Sequence, residues 1–182
     1  MFKREKEANL YAWKNKSGRK PLIIRGARQV GKTTLIKQFA NTYKHQILLN
    51  LEKPADASWF RNNKDAKVII ESLFLSKNIP ISSLSETLLF IDEIQELPDA
   101  IQQLRYFYED FPDLHVIAAG SLLEFAMKKV KSFPVGRVEF LYLHPLGFTE
   151  YLKAVGHLAA LEEIEKIPCA PFAHSILLNL FN

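Results

Sequence analysis

Cysteine is nearly absent from this sequence, since Cys169 is the one cysteine among 182 residues. An internal disulfide and a thiolate zinc site each need at least two cysteines, so both are excluded. No apolar run approaches the ~20 residues needed to cross a bilayer. The charged residues 1–7 also lack the apolar core of a secretory signal. We therefore expect a cytoplasmic protein with no membrane partner.

Glycine and proline are scarce as well, at 7 and 9 residues, whereas 48% of the residues are hydrophobic. This composition excludes a disordered or low-complexity chain and is typical of a globular domain with a sizeable core. Lysine and arginine exceed the acidic residues by only 24 to 20, without a long block of one sign. A net charge of +4 is thin support for a nucleic-acid partner, which stays a minor alternative.

Short apolar runs alternate with segments of helical period along most of the chain. Five such runs predict buried strands, at residues 21–25, 46–51, 88–92, 114–119 and 138–143. Helix-length segments separate successive runs, which is typical of parallel strands joined by crossover helices. We predict an α/β domain with a five-stranded sheet and helices on both faces. Further helices are predicted over residues 2–16, about 58–77, 100–110, 148–155, 158–167 and 172–181.

Residues 26–33 read GARQVGKT and match the pattern G-x-x-x-x-G-K-[ST] without a mismatch. They stand between a predicted buried strand and an amphipathic helix, which is the context that this phosphate-binding motif requires. Gly26 and Gly31 permit backbone angles that aim several N–H groups at a phosphate. We expect Lys32 to contact the β and γ phosphates and Thr33 to give a hydroxyl ligand to Mg²⁺. These residues, here called the glycine loop, are predicted to bind Mg-nucleotide.

The predicted strand at residues 88–92 ends in two adjacent carboxylates, Asp92 and Glu93. Ligands of parallel α/β sheets bind at the carboxyl ends of the strands, so we expect both acids beside the glycine loop. Asp92 would hold Mg²⁺ through its water shell, and Glu93 would polarise the water that attacks the γ-phosphate. Taken alone, the pair is more typical of a solvated turn at the end of a strand; the glycine loop upstream favours the functional interpretation.

Ser121 and Arg137 each have two interpretations. Ser121 follows the run VIAAG at the tip of a predicted strand. There it either bonds the attacking water or the γ-phosphate, or caps a helix over residues 122–128. Arg137 precedes the last predicted strand, where it either neutralises transition-state charge in a neighbouring subunit's site or is a surface arginine. Both are catalytic candidates beside Lys32 and Glu93.

Four segments together resemble one protein family: PLIIRGARQVGKTTLIKQ (residues 21–38), LLFIDEIQ (88–95), VIAAGSLLEF (116–125) and VGRVEFLYLHPLGFTEYL (135–152). They look like the prokaryotic AAA-type P-loop ATPases related to the STAND signalling NTPases. The resemblance implies an ATPase that uses ATP and Mg²⁺, with a sheet of order 5-1-4-3-2. It also implies a nucleotide-binding segment made of Gly26, Ala27, Arg28, Gln29, Val30, Gly31, Lys32, Thr33 and Thr34.

The same resemblance assigns the remaining candidates. It makes Asp92 and Glu93 the Walker B acids, sets Ser121 at the sensor-1 position, and sets Arg137 where an arginine finger would fall. Residues 1–152 are expected to form the ATPase core, and residues 153–182 the incomplete start of a helical lid. Because family members continue into a separate C-terminal domain, we expect a truncated chain. Its partners would be ATP or ADP, the missing domain or another protein, and a second copy of the chain.

Three functions follow from these observations. The leading one is Mg-ATP hydrolysis that drives a conformational change in a partner domain or protein. The alternative is a nucleotide-gated interaction switch that binds ATP or ADP with negligible turnover. A third, an ATPase acting as a loader on DNA, would require binding that weakens steeply with salt.

Overall fold

The structure, a computed structural model, describes residues 3–121, 123, 130 and 133–166. In this part of the chain five strands pair in parallel within one sheet. The strands are β1 Leu22–Arg25, β2 His45–Asn50, β3 Thr87–Asp92, β4 His115–Gly120 and β5 Glu139–Tyr142. Their order is β2-β3-β4-β1-β5, so the predicted α/β fold and the predicted sheet order are both confirmed.

The described helices are α1 Glu7–Lys14, α2 Lys32–Ala40, α3 Pro54–Arg61, α4 Ala66–Ser76, α5 Pro98–Asp110, α6 Phe148–Val155 and α7 Leu158–Glu165. Short 3₁₀ helices span Ile81–Glu86 and Ile94–Glu96. Among the residues described, no helix has the length and apolar character needed to span a bilayer. Apart from residue 123, the helix predicted at 122–128 lies outside the described residues, as does the helix predicted at 172–181.

Three helix boundaries differ from the sequence prediction. The helical region expected at about 58–77 is two helices, because Asp65 starts α4 anew: its carboxylate accepts the Lys67 N–H at 2.8 Å. Pro54, the first residue of α3, starts that helix earlier than expected. The first helix, predicted over residues 2–16, is shorter and spans Glu7–Lys14.

One hydrophobic layer lies on each face of the sheet. Ile23 belongs to the layer that holds residues of α4 and α5, and its neighbour Ile24 belongs to the layer that holds residues of α1 and α2. The central strands β3 and β4 are buried along their whole length because both of their faces are covered. This packing fixes the carboxyl ends of β1, β3 and β4, where the site residues follow.

The chain divides into two compact units. Residues 6–145 form the unit with the sheet, and residues 1–5 belong with residues 146–182 in the other. In the described part of this second unit, the carboxylate of Glu150 accepts two bonds from Arg4, at 3.1 and 3.3 Å. It also accepts the N–H groups of Glu5 at 2.8 Å and Gly147 at 3.2 Å. These bonds attach the N-terminal residues to the start of α6.

We expect Glu150→Gln to destabilise this second unit by about 1–3 kcal/mol, because it removes the charge paired with the largely buried guanidinium of Arg4. Burial disfavours the ionised carboxylate, but the bonds from Arg4 and the two N–H groups outweigh it, so the pKa of Glu150 is lowered. Its contribution is therefore complete above the ordinary glutamate pKa and is lost as the pH falls through the lowered value.

Hydrogen exchange of the α6 amides between pH 7 and pH 3 measures this effect. Glu163→Gln is the control, since Glu163 pairs with Lys166 at the surface of the same unit and surface pairs contribute little. Equal protection of α6 in both variants would show that the Glu150 bonds do not hold the unit together.

Candidate functional site

The glycine loop joins β1 to α2 in a conformation that depends on glycine at two positions. Gly26 has a φ of 156°, and Gly31, the N-cap of α2, has a φ of 91°. A Cβ at position 26 would lie 2.2 Å from the carbonyl oxygen of Leu143. Leu143 is held in place because its N–H donates to the carbonyl of Arg25 at 2.8 Å. The loop therefore runs against the backbone that follows β5, with no room for a side chain.

Lys32 lies across the glycine loop. Its Nζ donates to the carbonyl oxygens of Gly26 at 3.0 Å and Ala27 at 2.7 Å, and the residue is only 6% exposed. Burial lowers the pKa of Lys32, and the charges of Glu93 and Asp92 partly offset this effect. An anionic phosphate would be a stronger partner for this ammonium than two neutral carbonyls, because it adds the attraction between opposite charges to the hydrogen bonds.

Thr33 and Asp92 meet beside the loop: Thr33 Oγ1 donates to Asp92 Oδ2 at 2.8 Å. The other oxygen of Asp92 accepts the N–H of Glu93 at 3.1 Å. Asp92 is buried, and burial raises its pKa although the bond from Thr33 acts in the opposite direction. A cation would favour the ionised form of this carboxylate.

These two side chains fit Mg²⁺. Hydroxyl and carboxylate oxygens are hard ligands of the kind that Mg²⁺ prefers, and protein Mg²⁺ sites commonly use one or two such groups together with substrate phosphates. Within the described ranges there is no cluster of three or more His, Cys, Asp or Glu residues able to hold a metal. The chemistry of Thr33 and Asp92 therefore suits an ion shared with a nucleotide better than an ion enclosed by protein.

Glu93 follows Asp92 in the left-handed backbone conformation, with φ 51° and ψ 44°. This region is uncommon for a residue other than glycine. The carboxylate of Glu93 accepts a hydrogen bond from the amide of Gln95, with 2.5 Å between Gln95 Nε2 and Glu93 Oε2. Gln95 is the last residue of the DEIQ segment at 92–95, and the sequence assigned it no role in the site.

Ser121 is buried directly after β4, and its Oγ has no hydrogen-bond partner among the described residues. The preceding Gly120 is in register with Arg25, the last residue of β1. The tip of β4 is thus next to the start of the glycine loop. The structure brings Lys32, Thr33, Asp92, Glu93 and Ser121 to one edge of the sheet.

The other predicted binding residues surround this group. Ala27, Arg28 and Gln29 are exposed at the turn of the loop, Val30 is half-buried, and Thr34 is exposed in the first turn of α2. Gln29 also has a positive φ of 63°.

Arg137 lies at the opposite edge of the sheet. It belongs to a turn in which its N–H donates to the carbonyl of Pro134, just before β5 begins. Its Nε donates to Glu109 at 3.0 Å, an acid near the end of α5 that also accepts from Arg105. Because parallel strands all begin at the edge away from the glycine loop, the structure does not bring Arg137 to the site of its own chain.

A parallel sheet of this order, with a glycine loop between its strand β1 and α2, defines an α/β domain of the P-loop NTPase class. A family model described as an AAA domain matches residues 18–152, and the chain belongs to this family. The match includes the glycine loop, both carboxylates, Ser121 and Arg137. AAA domains are nucleotide-binding domains of the ATPase type. No curated protein matches the sequence.

Proposed function

We propose that this AAA domain binds Mg-ATP and hydrolyses the bond between its β and γ phosphates. The 2.8 Å bond between Thr33 and Asp92 carries the proposal. It joins two hard oxygen ligands, 59 positions apart in the sequence, directly beside a loop shaped to bind phosphate. Glu93, the next residue after Asp92, supplies a carboxylate at the same edge of the sheet.

Each residue has a defined task in this reaction. The N–H groups of the glycine loop and the ammonium of Lys32 hold the phosphates, aided by the positive end of the α2 dipole. Thr33 and Asp92 hold Mg²⁺, which neutralises charge that develops on the phosphate oxygens. Ser121 bonds the attacking water or the γ-phosphate.

Glu93 acts on the water. As the water oxygen bonds to the γ-phosphorus, the bond to the bridging oxygen breaks and ADP leaves with that electron pair. The carboxylate of Glu93 orients the water and accepts its proton, which then passes to the phosphate product. We propose further that this cycle moves a partner domain or protein.

One observation favours the alternative, a nucleotide-gated switch with negligible turnover. Lys32 bonds two carbonyls of its own loop, and Glu93 bonds Gln95, so both charged groups already have internal partners. In a switch, nucleotide binding would rearrange these bonds without a catalytic step. Measured turnover separates the two functions.

The test is phosphate release from ATP, with Mg²⁺ and with EDTA, over a wide range of protein concentration. We expect release that requires Mg²⁺, because without the cation the Asp92 carboxylate would repel the phosphates and Lys32 alone would face their charge. ATP binding with release equal to buffer at every concentration would overturn hydrolysis and favour the switch. Absence of ATP binding would overturn both functions.

The same titration addresses Arg137. Specific activity that rises with concentration would support completion of the site by a second copy of the chain, and Arg137→Ala should then remove the rise. Arg105→Ala is the matched control, because Arg105 donates to the same acceptor, Glu109, from α5. A rise that survives Arg137→Ala would contradict a role for this arginine.

A further inference from the structure

The hydrogen bond between Gln95 and Glu93 depends on the backbone conformation of Glu93. The left-handed conformation of Glu93 ends β3 and starts the 3₁₀ helix Ile94–Glu96. This turn brings Gln95 Nε2 to 2.5 Å from Glu93 Oε2. In a continuing strand the backbone would rise by about 6.6–6.8 Å between residues two positions apart. A residue other than glycine adopts this conformation rarely and keeps it where the surrounding structure imposes it.

Gln95 is itself held against the tip of β4. Its neighbour Ile94 is fully buried in the hydrophobic layer, and the 3₁₀ helix packs on β4. The amide oxygen of Gln95 is buried over Gly120, so close that a Cβ at position 120 would lie 2.3 Å from it. Gly120 precedes Ser121 and pairs in register with Arg25, the residue before the glycine loop. The amide therefore lies between Glu93 and the strand that carries Ser121.

We propose that Gln95 is a positioning residue for the hydrolysis proposed above: its amide fixes the carboxylate of Glu93, and Gly120 leaves the space that sets the position of this amide. The proposal rests on the proposed function. In the proposed reaction Gln95 contacts neither the γ-phosphate nor the attacking water. The amide donates to one oxygen of Glu93 and so restricts the rotation of the carboxylate, leaving the other oxygen to orient the water.

The absence of a side chain at position 120 supports this role. Gly120 does not need glycine for its backbone, since its φ lies outside the left-handed region and the residue ends a regular strand. What a Cβ at position 120 would meet is side chains: the amide oxygen of Gln95 would have to move, and Leu123 Cγ would lie 3.0 Å away. Packing therefore accounts for glycine at position 120. The atom nearest to an added Cβ is the amide oxygen of Gln95, whose amide nitrogen donates to Glu93.

Three variants test the proposal by steady-state kinetics and equilibrium ATP binding. Gln95→Ala should lower kcat about 10–100-fold, the range expected when a reacting group is misplaced by up to 1 Å, with the Kd for ATP changed less than about threefold. Gln95→Met keeps about the length of the side chain but has no N–H donor and adds no charge beside Glu93, and it should lower kcat as well. A residue that only fills space would tolerate Gln95→Met.

Gly120→Ala is the third variant and acts through Gln95. It should lower kcat about as much as Gln95→Ala, because the new methyl group displaces the amide. Combined with Gln95→Ala it should change kcat less than about twofold further, since the displaced group is then absent. The added methyl group would also press on Leu123, whether residue 95 is Gln or Ala. An effect of Gly120→Ala that acts through Leu123 would therefore remain in the double variant, whereas an effect that acts through Gln95 would be lost.

The outcomes distinguish this proposal from the function on which it rests. No hydrolysis by the unmodified chain would overturn the proposed function and the role of Gln95 together. Hydrolysis that Gln95→Ala leaves unchanged would overturn the role of Gln95 alone. Independent, multiplicative effects of Gly120→Ala and Gln95→Ala would show that Gly120 does not act through the amide.

Discussion

Replacing Glu93 by glutamine is expected to lower the rate of ATP hydrolysis by about 10²–10⁴-fold, the range in which general-base catalysis usually contributes. The amide has nearly the shape of the carboxylate but cannot accept the proton of the attacking water. ATP affinity should stay close to that of the unmodified chain, because Lys32 and the loop N–H groups, and not Glu93, hold the phosphates. Single-turnover phosphate release and equilibrium binding measure the two effects separately.

Glu96→Gln is the matched control for this variant. Glu96 is the last residue of the 3₁₀ helix that follows Glu93, three positions further on, and is exposed. It should leave both the rate and the affinity unchanged. If Glu93→Gln retained more than a tenth of the original rate, the proton would have to pass to another group, and Glu93 would lose its role as the base.

Gly26→Ala is expected to destabilise the protein by about 3 kcal/mol and to abolish detectable ATP binding. The methyl group would lie 2.2 Å from the Leu143 carbonyl oxygen, a backbone atom, so the contact cannot be relieved by rotation of a side chain. The φ of 156° is also unfavourable for alanine, and such strain costs on the order of 1–3 kcal/mol by itself. The loop must move away from β5, which turns its N–H groups away from the phosphates.

Thermal unfolding and the binding of a fluorescent ATP analogue measure these losses. Gly147→Ala is the control, because Gly147 has an ordinary φ of −74° and nothing lies within 4 Å of the added methyl group. It should change stability by less than about 0.5 kcal/mol. Unchanged ATP affinity in Gly26→Ala would show that the contact with Leu143 does not shape the loop.

The sequence alone was enough to predict the fold because the strands are buried on both faces. Runs such as LLFID carry their apolar character without interruption, and β3 and β4 are indeed covered along their full length. The order of the strands came from the family resemblance, since apolar runs do not reveal which strand lies next to which. Helix starts were less accurate where Asp65 and Pro54 determine them.

The candidate site was predictable where its residues are neighbours in sequence. The glycine loop and the pair Asp92–Glu93 are contiguous motifs, and the topology of parallel strands then brings them to one edge. The contacts of Gln95 with Gly120 and of Gly26 with Leu143 join residues 25 and 117 positions apart. The bonds between Arg4 and Glu150 span 146 positions. No local pattern predicts such pairs, because they depend on how the folded elements pack.

The Lys32 ammonium bonds the carbonyls of Gly26 and Ala27, so these carbonyls compete with a nucleotide phosphate for the ammonium. An incoming phosphate must exchange these bonds before the ammonium can contact it. The apparent affinity for ATP is then the intrinsic affinity multiplied by the fraction of chains in which the ammonium is released. Any interaction elsewhere that separates the ammonium from these carbonyls would raise the affinity without touching ATP.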